Sequence, residues 1–119
     1  MDLESLRDYA LSFKSVTEGF PFDEHTLVFK VANKMFLLSS LQHQPLRFNF
    51  KHSPENGIEY RERYSSVVDG YHMHKKYWST VSVDGEVPEE ELRKWISSSY
   101  DLVVSGLPKY KQKELKQHD

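Results

Sequence analysis

The feature that most constrains this chain is a strict alternation of side chains over residues 46–51. Three apolar residues alternate there with three polar ones: Leu46, Phe48 and Phe50 with Arg47, Asn49 and Lys51. Successive side chains of a β-strand point to opposite faces of the sheet, so a period of two predicts a strand. One face of this strand is apolar and the other is polar and basic. The segment therefore predicts a sheet with one face in the core and one face towards solvent.

The rest of the chain divides into helical and extended segments. Ser53 and Pro54 predict a helix start, because serine accepts a hydrogen bond from a free amide and proline suits the first helical position. Pro88 and the three acidic residues after it open another helix, since acids are favourable at a helix N-terminus. The predicted order is a helix over 3–15, strands over 27–31, 34–39 and 46–51, a helix over 53–64, one or two strands within 65–83, and a helix over 88–107.

This order, α-β-β-β-α-β-β-α, predicts an α+β fold in which helices cover one face of an antiparallel sheet. Asn33 lies in a short connection between two strands, where its tolerance of left-handed backbone suits a hairpin. The spacing of apolar residues predicts one shared core, formed by Leu27, Phe29, Leu46, Phe48, Phe50, Val81, Leu92, Ile96 and Val103.

The length of 119 residues is that of one compact domain, spanning 1–119. Four lysines against two acids make residues 109–119 a basic tail, which we expect to be frayed. The chain contains no cysteine, which excludes disulfides, thiolate metal sites and cysteine nucleophiles. No apolar run is long enough to span a bilayer, and the N-terminus has no apolar signal core. We therefore expect a cytoplasmic protein that does not enter membranes.

The net charge of −2 conceals a strong segregation of charge. Residues 25–54 contain four bases and no acid, and residues 70–83 contain two bases and no acid. The acidic residues fall mainly in the predicted helices. A basic outer sheet face is consequently expected, which suits phosphate groups; the alternative is a solvated face. The nucleic-acid-binding candidates are Lys30, Arg47, Lys51, Lys75, Lys76 and Trp78, the last as an exposed aromatic for stacking.

Residues 71–81 combine two histidines, two lysines and three aromatic residues without any acid. A second hypothesis is an aromatic cleft in this stretch, around Tyr71, His72 and Trp78, with His74 beside it. His72 and His74 are two apart and share a face in an extended chain, but two ligands do not make a metal site. We therefore predict no bound metal.

No catalytic constellation is evident in the sequence. The five glycines form neither a phosphate loop nor a dinucleotide-binding fingerprint, and there is no nucleophile elbow. Ser99 lies in a run of three serines that reads as small residues allowing a helix to lie close to the sheet. We expect a non-enzymatic protein without a cofactor.

Several ordered motifs also resemble those of one known family. They are Phe20-Pro21-Phe22-Asp23, Lys34-Met35-Phe36, Leu46-Arg47-Phe48-Asn49-Phe50-Lys51 with Ser53-Pro54-Glu55, the stretch 71–81, Val83-Asp84-Gly85 with Pro88, and Ser99-Tyr100-Asp101-Leu102-Val103 followed by Leu107-Pro108. Over nearly its whole length the chain resembles the MmcQ/YjbR-like family of small bacterial proteins. Two positions depart from the family pattern, with Asn33 in place of glycine and His74 in place of asparagine.

The resemblance implies a two-layer sandwich similar to frataxin-like and secretion-chaperone-like folds. It also implies DNA binding through paired β-hairpin wings, the label that many members of the family carry. It carries over no catalytic residue and no cofactor. Two hypotheses follow: weak, sequence-tolerant DNA binding on the basic face, or a protein-interaction or small-ligand module that uses the aromatic cleft. Salt separates them, because phosphate-driven binding weakens steeply with ionic strength.

Overall fold

The structure, a computed structural model, describes residues 1–117 and contains four helices and six strands in that range. The elements in chain order are α1 (Leu3–Leu11), β1 (Val16–Gly19), β2 (Thr26–Val31), β3 (Lys34–Ser40), β4 (Arg47–Lys51), α2 (Pro54–Arg63), β5 (Val67–Asp69), β6 (Trp78–Ser82), α3 (Glu89–Ser105) and α4 (Lys109–Gln117).

The strands form one antiparallel sheet in the order β1-β2-β3-β4-β6-β5. Apolar residues of the helices and of one sheet face form a single buried cluster, and the predicted α+β sandwich is thereby confirmed. Eight of the nine predicted core residues are buried. Leu46 is the exception: it is half-buried at the edge of the core, one residue before β4 begins.

Local sequence signals explain most of the element boundaries. The turn between β2 and β3 has Ala32 and Asn33 at φ values of 49° and 65°, and two consecutive positive φ values are typical of a tight hairpin turn. The predicted role of Asn33 is thus confirmed. Helix α2 begins as predicted, with the Ser53 side chain accepting a hydrogen bond from the amide of Asn56 at 3.2 Å.

Three features differ from the prediction. Helix α1 ends at Leu11 rather than near residue 15, because Ser15 has a φ of 61°, which a right-handed helix cannot contain. The chain then forms the short edge strand β1, which the sequence pattern did not indicate. The segment expected to be a frayed tail forms α4 instead, and Leu115 packs against the core. The end of that predicted tail, residues 118 and 119, lies outside the described residues.

None of the helices within residues 1–117 is both long and apolar enough to cross a membrane.

Candidate functional site

Strand β4 carries basic residues on the sheet face away from the helices, which we call the outer face. Phe48 and Phe50 are buried in the core, so the alternating Arg47, Asn49 and Lys51 lie on the opposite side. On β2, Lys30 alternates with the core residue Phe29 in the same way. The predicted placement of Lys30, Arg47 and Lys51 on one face is confirmed.

The basic residues are nevertheless separated along this face. Arg47 pairs with Ser82, whereas Lys51 pairs with Trp78 at the other end of β4. At about 3.3 Å per residue, the two positions are roughly 13 Å apart along the strand. Lys75 and Lys76 are exposed in the loop over residues 70–77. Arg47 and Lys51 therefore lie at opposite ends of β4, whereas Lys75 and Lys76 lie in a loop outside the strands.

Trp78 is not the exposed aromatic that the sequence suggested. It lies on the predicted outer face but is only 8% exposed. It forms a small apolar cluster with Val28 and Leu38, and Met35 and Met73 pack against it. Met73 belongs to the 70–77 loop, which folds back over the sheet. The expectation that Trp78 stacks on a base is thus wrong, because alternation gives the face of a residue and not what covers that face.

Next to this cluster, the outer face contains an open cleft of about 290 Å³. Its floor comes from β3, β4 and β6, while the β3–β4 connection and the 70–77 loop provide its sides. We call this feature the outer-face cleft; it is lined by Leu38, Ser40, His43, Arg47, Asn49, Tyr71 and Thr80. Of the predicted site residues, it brings together Arg47 and Tyr71.

Hydrogen bonds fix the polar floor of the outer-face cleft. The amide of Tyr71 donates to Thr80 Oγ1 at 3.1 Å, and the Thr80 hydroxyl donates to Asn49 Oδ1 at 2.6 Å. This chain ties the start of the 70–77 loop to β6 and β4. It also occupies the Asn49 carbonyl oxygen, while the Asn49 Nδ2 group has no hydrogen-bond partner within residues 1–117.

The electrostatic character of the outer-face cleft follows from Arg47. This side chain is exposed, and no ion pair or hydrogen bond engages its guanidinium within residues 1–117. Among the described residues no carboxylate lines the cleft. The cleft therefore has hydrogen-bond donors and a positive charge at one end, with Leu38 and the Tyr71 ring as apolar surface.

The predicted histidine candidates take separate positions in the 70–77 loop. The His72 ring lies 4.1 Å from the Tyr71 ring, and the residue has a φ of 58°. The His74 ring lies 5.0 Å from the Tyr77 ring, and its Nδ1 accepts a hydrogen bond from the Lys76 amide at 3.2 Å. Neither histidine lines the outer-face cleft. No group of three or more metal-binding side chains occurs in the part of the chain that the structure describes.

A second polar site, which the sequence pattern did not indicate, is a buried network around His52. The His52 Nδ1 atom lies 2.8 Å from the carbonyl oxygen of Ser53, and a carbonyl only accepts, so Nδ1 carries the proton. Nε2 then accepts from the Ser79 hydroxyl at 2.7 Å, and Ser79 Oγ accepts from Arg61 Nη1 at 2.8 Å. Burial lowers the pKa of His52, and nearby Arg61 lowers it further, against the opposing effect of its backbone hydrogen bonds.

A serine next to a histidine is the arrangement of a nucleophile and its base, but here both side chains are buried. Ser79 is 0% exposed, and a substrate cannot reach its hydroxyl. The His52 ring is also closely packed, since a Cβ atom at Gly57 would overlap its side chain. The network is therefore structural, joining α2 to β4 and β6. The sequence signal for it was weak, because its members lie far apart in the chain.

Comparisons with known proteins agree with this fold. A solved structure of the Deinococcus radiodurans protein DR2400 is similar, with a TM-score of 0.92 and 40% identity over 96% of this chain and 87% of that one. A solved structure from Pseudomonas syringae shares the fold at a TM-score of 0.73 and 22% identity, covering 86% of this chain and 98% of its own.

Sequence relatives cover the chain almost completely. The uncharacterized protein YbdF of Escherichia coli O157:H7 is 37% identical over 98% of both chains. The uncharacterized protein YjbR of Escherichia coli strain K12 is 28% identical over 98% of this chain and 99% of its own. The YjbR family model matches residues 11–102, which include the core strands and most of α3. The resemblance seen in the motifs is thereby confirmed, and the chain belongs to the YjbR family.

Proposed function

We propose that the protein is a non-enzymatic binding module whose ligand site is the outer-face cleft. One observation carries this proposal: the cleft joins Arg47, whose guanidinium has no ion pair or hydrogen bond within residues 1–117, to the amide of Asn49, beside the apolar surface of Leu38 and Tyr71. Concave sites with a few placed polar groups on an apolar wall are typical of small-molecule binding. The proposal keeps Tyr71 from the aromatic-cleft hypothesis and replaces His72 and Trp78 with Arg47 and Asn49.

The burial of Ser79 and His52 supports the non-enzymatic part of the proposal. The outer-face cleft offers the hydroxyls of Ser40 and Thr80 and the ring of His43. The Thr80 hydroxyl is occupied by Asn49 and is mostly buried, so it is poorly placed as a nucleophile. A cytoplasmic location stays a prediction.

A fragment screen by ¹H–¹⁵N NMR tests the site. Fragments that bind should shift the amide signals of Leu38, Asn49 and Tyr71 before those of other residues. A Ser40→Phe variant should abolish these shifts by filling the cleft, since Ser40 is half-buried on its floor at the end of β3. The control is Lys94→Gln, at an exposed position of α3 on the other side of the sheet, which should leave the shifts unchanged. Fragments that shift only residues elsewhere would contradict the proposal.

Weak DNA binding on the outer face is the second candidate function. What favours it is the set of cations without an ion pair in residues 1–117, which includes Lys30, Arg47, Lys51 and Lys75. With Trp78 buried, such binding would depend on phosphate contacts alone and would show little base specificity. The net charge of −2 and the separation of the cations argue for low affinity.

Titration with duplex DNA at several salt concentrations tests this second function. For each phosphate contact, the slope of log affinity against log salt should change by about −0.9. Replacing Lys30 and Lys51 with glutamine should make that slope shallower by up to about 2, whereas Lys94→Gln should not change it. No binding at low salt would eliminate DNA as the ligand and leave a small molecule or a protein partner.

A further inference from the structure

We infer that the outer-face cleft selects a small organic anion, in which one carboxylate or phosphate group is attached to a flat, apolar body. This inference rests on the proposed function and adds the chemical class of the ligand to it. Three properties of the cleft support it: the state of Arg47, the donors on the floor, and the size and polarity of the walls.

The charge of the ligand follows from Arg47. Each of the other four arginines has a partner within the described chain: Glu18 for Arg7, Asp69 and Ser79 for Arg61, the Tyr64 ring for Arg63, and Glu89 for Arg93. Within residues 1–117 Arg47 has no such partner, although it begins a central strand of the sheet. A guanidinium presents paired N–H groups that match the oxygens of a carboxylate or phosphate. Arg47 is thus positioned to hold an anionic group at one end of the cleft.

The floor of the cleft requires hydrogen-bond acceptors on the ligand. Thr80 Oγ1 accepts from the Tyr71 amide and donates to Asn49 Oδ1, which leaves Asn49 Nδ2 as a donor without a partner in the described part of the chain. Because no carboxylate lines the cleft in residues 1–117, a ligand with acceptor atoms can receive hydrogen bonds from both Arg47 and Asn49. A cationic ligand would instead meet the guanidinium without a compensating charge.

The body of the ligand follows from the walls. Leu38 lines the floor but is only 5% exposed, whereas Tyr71 is 71% exposed at the side, so Tyr71 supplies most of the apolar area of these two residues. An aromatic ring favours a flat partner placed against its face or edge. The volume of about 290 Å³ lies at the small end of ligand sites and suits a body of roughly a single ring system.

Titrations with four simple probes, followed by ¹H–¹⁵N NMR, test the inference. The probes are benzoate, phenyl phosphate, benzamide and inorganic phosphate. Benzamide has the shape of benzoate without its charge, and inorganic phosphate has charge without an apolar body. We expect benzoate or phenyl phosphate to shift the signals of the Asn49 side-chain NH₂ and the Tyr71 amide. Their affinity should exceed that of benzamide at least about tenfold, as expected for one charge-assisted hydrogen-bonded pair. The ratio of benzoate to phenyl phosphate affinity identifies which anionic group the cleft prefers.

Two variants make the test specific. Arg47→Gln should reduce the affinity for the aryl anions to that for benzamide, while the spectrum of the free variant stays native because the side chain is exposed and has no ion pair within residues 1–117. Lys30→Gln removes a cation from the same face outside the cleft and should leave the affinity unchanged.

The possible outcomes separately test the charge of the ligand, its apolar body and the cleft as a binding site. Benzamide binding in the cleft as tightly as benzoate, or Arg47→Gln binding benzoate like the native protein, would overturn the anion inference and leave the binding cleft intact. If inorganic phosphate binds as tightly as phenyl phosphate, the inference that the ligand has an apolar body is wrong. If none of the four probes and none of the fragments in the screen shifts the signals of Asn49 or Tyr71, the inference and the proposed function both fail.

Discussion

His52 shows how one buried residue couples this fold to pH. Its neutral ring donates from Nδ1 to Ser53 and accepts at Nε2 from Ser79, and Arg61 also binds Ser79. A protonated ring would place a second proton towards the Ser79 hydroxyl and a second positive charge near Arg61. Burial and Arg61 accordingly lower the pKa of His52 in the folded state.

The lowered pKa predicts a loss of stability in mildly acidic solution. As pH falls below about 6.5, the unfolded chain binds a proton at this histidine before the folded chain does. The free energy of unfolding should therefore decrease with falling pH, by at most about 1.4 kcal/mol per pH unit for one proton. Urea denaturation between pH 7.5 and 5.5 measures this slope, above the range where the carboxylates titrate.

A pair of histidine variants assigns that slope. His52→Gln should be less stable at pH 7.5 but should lose most of the pH dependence. His43→Gln, which changes an exposed histidine, should keep it. An equal slope in the native protein and in His52→Gln would assign the effect to another group.

Trp78 and Tyr71 are aromatic residues at the two ends of one loop, and we expect their replacement to have opposite consequences. Trp78→Ala removes the centre of the cluster with Val28 and Leu38 and should cost about 3–5 kcal/mol of stability. Tyr71→Ala removes a side chain that is 71% exposed and should change stability by less than about 0.5 kcal/mol. In the benzoate titration, however, Tyr71→Ala should weaken binding. A stable Trp78→Ala variant would contradict the role given to this cluster.

At the scale of the element, Ser99 fastens α3 to the sheet. Its hydroxyl donates to the carbonyl oxygen of Phe36 at 2.6 Å and accepts from the amide of Lys51 at 2.8 Å. Phe36 lies at the irregularity where β3 has one residue more than β2. The serine thus supplies a buried partner to the carbonyl there and holds β3 and β4 at a fixed distance from α3.

Removing this hydroxyl should destabilise the fold. Ser99→Ala removes the partner of the buried Phe36 carbonyl and of the partly buried Lys51 amide, which should cost about 1–3 kcal/mol in urea denaturation. Ser98→Ala changes the neighbouring exposed serine of the same helix and should stay within about 0.5 kcal/mol of the native protein. Equal stability of the two variants would show that water or backbone movement replaces the Ser99 contacts.

The elements that the sequence predicted are those with a long or repeated signal. Strand β4 has a full alternation, α2 has its serine cap, and α3 has an apolar stripe along 17 residues. Strand β1 has only four residues at the sheet edge, too few for a pattern. Helix α4 follows Pro108, which the sequence pattern indicates only as the end of α3. The Pro108 carbonyl oxygen also accepts from the amides of Lys111 and Gln112 in the first turn of α4, so one proline marks both boundaries.

At the scale of the whole molecule, the sheet separates stability from recognition. Its inner face carries Phe29, Phe48 and Phe50 against the helices. Its outer face is divided between the Trp78 cluster and the outer-face cleft. Alternation predicted the faces correctly, including that of Arg47. It could not predict the cleft, because the path of the 70–77 loop, held by Thr80 and Met73, decides which outer residues are covered and which stay accessible.

The central claim is that the outer-face cleft binds a small organic anion, and a crystal structure of the native protein soaked with benzoate tests it most directly. We expect the carboxylate within about 3 Å of the Arg47 guanidinium, the usual distance of a charge-assisted hydrogen bond, with the ring between Leu38 and Tyr71. Benzoate bound only at other basic residues, such as Lys30 or Lys51, in crystals that leave the cleft open would contradict the claim.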